Sequence, residues 1–511
     1  MKKKHIAVRL FAILLSLILL CSLAVSCASS GAGNKDRETK SGEQSTNNQQ
    51  GSQSETVKPE DETVWYEPAG SEGKPYEGQT FRMIVNTDDS SVYWHDSDFT
   101  VAADLTGDTY EDAVYQRQYY LQERTGVTIE IDHDPRSSDG TFQTFINAIL
   151  GGTDNYHAGN VSTHRMFAMA TQGLLQDVNT MSSLQKDAPW WDQNVYTDLS
   201  IAGHVFGMYG DIGMMARRTL AVIIFNKAEL QVRFPNLDLY EVQDQGKWTI
   251  DYMTEIVENA AQDLNGDDAM GDDDFFGLVY QTDMTPIAFI CADVRFVTKD
   301  ADDLPELSFN DDRTLDVLDA LSFLMYNTDV ARSSDSVEPK LGIRHGDAFR
   351  SGHSLFDSTE VHSVVSARVM EADYGVLCMP KYDEEQSHYI TCINPHVAAT
   401  LVIPYTNLEE EFTSYMLDEL GAAGRNYLLP AFYDIVLTGR SVRDEESKAT
   451  LDLVMENVRY ELGYLASWGV SELMRKLGDN RSMNFASEYK SAEFSIETKM
   501  KQTVDAITAN D

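Results

Sequence analysis

Residues 81–131 open on FRMIVN (Phe81–Asn86), continue through DTYEDAVYQRQYYLQER (Asp108–Arg124) and close on GVTIEI (Gly126–Ile131). The outer pieces are apolar runs of strand length, and the middle reads as a helix that Gly126 ends. Strands that alternate with helices predict an α/β fold built on a parallel sheet. The pattern extends outward from there. Phe142–Leu150 reads as a second helix and Tyr156–Ser162 as a third strand. Val205–Tyr209 and Leu220–Phe225 (LAVIIF) have the composition of buried strands. Thr314–Met325 is a helix, and Tyr374–Met379 and Val397–Ile403 are later strands. From about residue 406 the chain is mostly helical, and Leu451, Val454, Met455, Val458 and Leu462 mark one helical face.

The stretch Gly246–Gly277 has the clearest local pattern. Thr249 is placed to cap a helix, with Asp251 in its first turn facing the positive end. Met253, Ile256, Val257, Ala260 and Leu264 then share one helical face. An acidic loop follows, DLNGDDAMGDDD (Asp263–Asp274), with six aspartates and no Lys, Arg or His. Crowded carboxylates repel one another, and a hard cation wants carboxylate and carbonyl oxygens. Asp263, Asn265, Asp267, the Ala269 carbonyl and Asp274 fall at positions 1, 3, 5, 7 and 12 of an EF-hand-like loop. Asp268 stands where Gly is usual, position 12 is Asp rather than Glu, and a strand (Phe275–Gln281) rather than a helix follows. Two readings stay open: a structural Ca2+ site, or a solvated acidic turn.

At 511 residues the chain exceeds one ordinary core. Its net charge is −42, which repels nucleic acid and anionic lipid and names no partner. Met1–Cys27 begins with Lys2, Lys3, Lys4 and Arg9 and carries the apolar run Leu10–Leu20, too short for a comfortable membrane span. It ends Leu23-Ala-Val-Ser-Cys27, a small residue before Cys, which resembles the lipobox of bacterial lipoproteins. That resemblance implies a signal peptide over 1–26 and acylation of Cys27; an ordinary signal peptide or an uncleaved anchor are the other readings. Ala28–Thr63 has no Leu, Ile, Met, Phe, Tyr or Trp and cannot support a core. Residues 27–75 therefore read as a disordered tether, averaging roughly 35–40 Å in span. Three cysteines remain, Cys291, Cys378 and Cys392, without metal-site spacing. Cys378 and Cys392 either bridge or stay as isolated thiols.

Enzyme motifs are missing. The chain has no G-x-S-x-G elbow, Walker loop, G-x-G-x-x-G or H-E-x-x-H. With 82 acidic residues, carboxylate pairs of the glycosidase kind arise by chance.

Phe206-Gly-Met-Tyr-Gly-Asp211, Ile224-Phe-Asn-Lys227, Lys247-Trp-Thr249, Gly375-Val376 with Met379-Pro380, and Val397–Pro404 follow one another in an order that resembles the bacterial extracellular solute-binding proteins of family 1, the maltodextrin-binding-like group. The likeness runs over about residues 76–511. It implies two α/β lobes of the type II periplasmic-binding-protein kind with a cleft and hinge between them. Lobe 1 would be residues 76–218 plus 395–430, and lobe 2 residues 219–394 plus 431–511. It implies a lipid-anchored monomer on the outer face of the cytoplasmic membrane. Such a protein captures a sugar or oligosaccharide without catalysis and passes it to an ABC transporter permease. A secreted glycan-binding adhesion protein or a glycoside hydrolase are the competing readings. A sugar cleft needs flat apolar faces beside polar groups. By analogy, Trp94 (in Tyr93–Asp96), Tyr209, Asp211, Tyr280, Tyr433 and Trp468 are the expected ligand contacts, with His164, Arg165 and Phe432 nearby. Trp190-Trp191 reads instead as a packing anchor.

Overall fold

Eleven strands appear among the described residues of the computed structural model: β1 (Thr80–Val85), β2 (Thr128–Asp132), β3 (Ala158–Ser162), β4 (Ala221–Asn226), β5 (Phe276–Tyr280), β6 (Val297–Lys299), β7 (Pro305–Leu307), β8 (Ala331–Ser333), β9 (Ser354–Glu360), β10 (Tyr374–Leu377) and β11 (Ala399–Val402). The structure describes residues 64–85, 97–132, 138–152, 156–271, 273–281, 283–333, 347–367, 370–437, 445–479 and 484–510. Residues 64–511 pack as one compact unit around their own apolar core. The leader, Cys27, most of the tether and Trp94 lie outside the described residues.

Two sheets organise the fold. The first runs β11-β3-β1-β2 and the second β10-β4-β9-β5-β8, while β6 and β7 form a separate hairpin. In the first, β1 is parallel to β2 and β3, and β11 is antiparallel to β3. In the second, β5 is parallel to β8 and β9, and β4 is antiparallel to both β9 and β10. The expected parallel sheets are thus mixed, and the reason is connectivity. β4 arrives from the first sheet and starts where β9 ends, with Ala221 opposite Glu360. β11 returns from the second sheet and starts where β3 ends, with Ala399 opposite Ser162.

Local sequence accounts for most elements. Asp108 caps helix Thr109–Thr125 through its side chain, and Gly126 closes it with a left-handed φ of 67°. Thr249 caps helix Ile250–Ala260 by accepting the Tyr252 N–H at 3.2 Å. Met253, Ile256, Val257 and Ala260 are buried, but Leu264 is 52 % exposed. The helix stops early because Ala261 turns extended and Gln262 pairs with Phe275. Val205–Tyr209 is no strand either; Met208 makes a single bridge to Leu401. The face expected across Leu451–Leu462 outruns its helix, Glu445–Glu456, although Val458 and Leu462 are buried. Helix Glu410–Leu437 packs along helix Thr109–Thr125 and continues through Pro430, so the boundary expected at 430–431 falls inside it. No helix among the described residues is long and apolar enough to cross a membrane.

Candidate functional site

The strand directions bring β1, β2, β3, β5, β8, β9 and β10 to their carboxyl ends on the sides from which β4 and β11 start. Open α/β sheets bind ligands outside the carboxyl ends of their strands. Here the two crossover segments are stitched together at that place. The Val361 N–H donates to the Leu220 carbonyl at 2.9 Å, Asn394 N–H to Thr219 at 3.3 Å, and Thr163 N–H to Ala398 at 3.2 Å.

Polar side chains gather at this junction. Asn394 Nδ2 donates to Glu360 Oε1 at 2.9 Å, while the other oxygen, Oε2, is buried without a hydrogen-bond partner. Glu360 is 3 % exposed, and burial pushes its carboxyl up to about 7. His164 follows β3 and approaches the Pro395 carbonyl through Nδ1 at 3.2 Å. Its ring lies 4.9 Å from that of His396. Burial holds both imidazoles below their usual range. His362, after β9, is pushed down to about 4 by burial, with Arg218 adding to the effect. Asp283, after β5, has Arg475 Nε 3.0 Å from Oδ1, near enough for an ion pair but out of line for a hydrogen bond. Arg165 instead lies over the Phe142 ring at 4.7 Å. The junction offers hydrogen-bonding and ionisable groups rather than an aromatic floor.

The expected contact residues scatter. Tyr209 is 4 % exposed, stacks on Tyr460 at 4.8 Å and is hydrogen-bonded to Thr163 and Thr400, so it is packed between two small pockets. Asp211 has no exposed surface and is clamped by Arg217 (2.6 Å) and Arg425 (2.8 Å). It is held in a buried ion-pair cluster. Trp468 is buried as well. It is 2 % exposed, with its Nε1 donating to Thr503 at 3.0 Å beneath the last long helix. Tyr433 is half-buried in helix Glu410–Leu437, its hydroxyl raised by burial and by Asp452. Phe432 is buried beside it. Tyr280 is half-buried and lines an apolar pocket behind the second sheet with Met253, Met284, Met325 and Met379. The pocket's polar lining is limited to Thr285, Ser358 and Tyr280, and we assign it to packing rather than to the site. Trp190 and Trp191 do anchor packing, both indoles donating to Asp418. Sequence reasoning missed Glu360, Asp283 and Asn394, because nothing local marks a polar strand end as a meeting point of two lobes.

No family model matches the sequence, and no curated protein sequence does either. Solved structures do match. An ABC substrate-binding protein from Listeria monocytogenes in complex with cycloalternan aligns at 12 % identity and TM-score 0.53, covering 83 % of this chain and 98 % of that one. An ABC transporter solute-binding protein from Thermotoga lettingae bound with α-D-tagatose aligns at 12 % identity and TM-score 0.51, over 83 % and 100 % of the two chains. UgpB from Mycobacterium tuberculosis, in complex with glycerophosphocholine, aligns at 13 % identity and TM-score 0.53, over 76 % and 95 %. The fold is that of the two-lobed solute-binding proteins.

Within this solute-binding fold the acidic loop lies away from the junction, at the amino end of β5. Its carboxylates serve its own backbone. Asp263 accepts from Gly266 (2.6 Å) and Asp268 (2.9 Å), Asn265 Oδ1 from Asp267, and Asp267 from Ala269. Asp268 adopts a left-handed φ of 63°. Asp274 is buried and accepts from Leu264 and Gly271, which hold its carboxyl below the usual range. No group of three or more His, Cys, Asp or Glu among the described residues is arranged to hold a metal. Cys291, Cys378 and Cys392 are buried free thiols, which answers the pairing question for Cys378 and Cys392 in favour of isolated thiols.

Proposed function

We propose that this protein captures a small polar solute at the junction of its two lobes, outside the cytoplasmic membrane, and delivers it to an ABC transporter permease. A sugar or oligosaccharide is the first class to test. The reading rests on one observation. The carboxyl ends of both sheets and both crossover segments meet in one polar cluster, in a fold whose matched structures hold cycloalternan, tagatose and glycerophosphocholine. The last of these keeps polar non-sugar solutes in the test. Acylated Cys27 and the Ala28–Thr63 tether would hold the monomer at the membrane surface. Binding without catalysis is the expected activity, since the matched structures are those of solute-binding proteins. Ca2+ at Asp263–Asp274 belongs to the same proposal as a structural ion. Carboxylates that accept one N–H keep lone pairs for a metal.

A thermal-shift screen tests the reading, because a ligand that binds only the folded state raises the midpoint. Mono- and oligosaccharides, glycerophosphodiesters, peptides and polyamines are the panel. A rise of several degrees with one class, and no product formed, is the expected result. Turnover of a glycan would move the reading to a hydrolase. Retention on insoluble polymer without a shift by any soluble ligand would move it to adhesion.

A further inference from the structure

Two histidines meet where β3 ends and β11 begins. His164 is the second residue of helix Thr163–Thr171, directly after β3, and His396 lies three residues ahead of β11. The antiparallel pairing of Ala399 with Ser162 brings them side by side, with ring centroids 4.9 Å apart and ring planes at 51°. His164 Nδ1 lies 3.2 Å from the Pro395 carbonyl, which also accepts the His164 backbone N–H at 3.5 Å. A carbonyl oxygen only accepts, so Nδ1 carries the hydrogen and the lone pair of the neutral ring is on Nε2. Metal-binding imidazoles are commonly fixed in this way, with the second nitrogen tied to a carbonyl. His396 is held through its backbone, whose N–H donates to Asn394 Oδ1 at 3.1 Å. The ring separation also fits a shared ion. With metal–nitrogen bonds of about 2.0–2.1 Å, two imidazoles on one ion have centroids roughly 4.5 Å apart at a right angle and roughly 5.2 Å apart at the tetrahedral angle. Neither residue is sealed off, since His164 is half-buried and His396 exposed.

The charge around the pair suits a cation. Asp283, ahead of helix Met284–Cys291, and Glu472, in the first turn of helix Val470–Asp479, both act on His396. Arg475 acts in the other direction, but it is ion-paired with Asp283. The positive end of helix Thr163–Thr171 sets about half a unit charge against a cation. Two carboxylates and one arginine leave a larger negative surplus. We infer that His164 and His396 form a site for a divalent transition-metal ion, Cu2+, Ni2+ or Zn2+, at the junction. These ions take imidazole nitrogen, whereas Ca2+ and Mg2+ take oxygen, so the site is chemically distinct from the acidic loop. Two side chains fill half of a four-coordinate shell, and water or solute oxygens fill the rest. The inference rests on the solute-binding reading for its consequence only: a solute with neighbouring hydroxyls or a carboxylate would be held more tightly when the ion is present.

The test uses the metal alone, so a failed ligand screen and a failed metal titration are separate results. Cu2+ is the probe, because it binds nitrogen sites most tightly among these ions and its electron spin reports the donor atoms. The untagged protein with one equivalent of Cu2+ should give an electron paramagnetic resonance spectrum split by two imidazole nitrogens. H164Q and H396Q should each lose that two-nitrogen pattern and weaken Cu2+ binding by at least about tenfold in titration calorimetry. H396Q changes an exposed side chain and should melt like the parent, so its result stands even where H164Q folds poorly. D263A in the acidic loop and H388Q at an exposed histidine elsewhere should keep both the pattern and the affinity. A spectrum without nitrogen splitting, an unchanged Cu2+ affinity in H396Q, or loss of the pattern in D263A or H388Q each overturns the inference.

Discussion

Asp211 is fully buried, and two arginines hold its charge. Arg217 lies six residues away on the same crossover, but Arg425 comes from a helix 214 positions later in the chain. That distance explains why the sequence reading placed Asp211 at the ligand. A carboxylate beside Tyr209 and two glycines looks like a contact residue until its distant partner is known. Trp468 is the same case, since its partner Thr503 lies 35 residues on. Glu360 and Asn394, 34 apart, were invisible for the converse reason, because a buried polar strand end looks like an exposed one. The clamp on Asp211 carries its own prediction. Removing one partner of a buried pair leaves the others unpaired, at a cost of about 3–5 kcal/mol. D211A should lose stability of that order in urea denaturation, with D211N less affected because it keeps hydrogen bonding. If D211A instead unfolds like the parent and weakens solute binding, the residue is a ligand contact after all.

At the level of elements the helical repeat was readable and the ends were not. The spacing of Met253, Ile256, Val257 and Ala260 set the buried face of helix Ile250–Ala260, and Thr249 set its start. Its end depends on a bridge between Gln262 and Phe275 that no local pattern announces. T249A removes the acceptor for the Tyr252 N–H and should cost about 1 kcal/mol, read from the same denaturation midpoint. The acidic loop beyond it poses a sharper question. Its backbone already satisfies Asp263, Asp267 and Asp274, so the loop does not need a cation to form. A Ca2+ ion would still relieve the repulsion among its aspartates. If it binds, Ca2+ should raise the melting temperature of the parent, and D263A should abolish that rise while melting normally in chelator. Equal melting of parent and D263A in excess Ca2+ would assign the loop to a solvated turn.

The whole molecule brings these scales together through its charge. The order of landmarks along the chain carried the two-lobed reading, because each crossover keeps its place in sequence whatever the strands do around it. Strand direction was not legible, since it depends on which end of a sheet a crossover enters. The same convergence that builds the junction buries carboxyls there and elsewhere in the second lobe. Asp357, Glu360 and Glu461 are each pushed up to about 7, in every case chiefly by burial. Unfolded, these groups titrate near 3.8 for Asp and 4.5 for Glu, so the folded state binds more protons in between. Their contribution to stability is full below the lower values and is lost as pH rises through about 7. Asp274 works in the opposite sense, as do the imidazoles of His164, His362 and His396, all held below their usual range, while Asp198, Asp418 and Glu419, also raised by burial, add to the three acids. Self-repulsion in a chain of net charge −42 also grows as the remaining acids ionise. The melting temperature should therefore be higher near about pH 5.5 than near about pH 8, by a few degrees. D357N, which cannot ionise on β9, should narrow that difference mainly by raising the value at the alkaline end. Added salt separates the two causes, because it screens surface repulsion and leaves a buried carboxyl almost untouched. A pH difference that vanishes in high salt would assign the effect to surface charge, and one that persists in salt but shrinks in D357N would assign it to the buried acids.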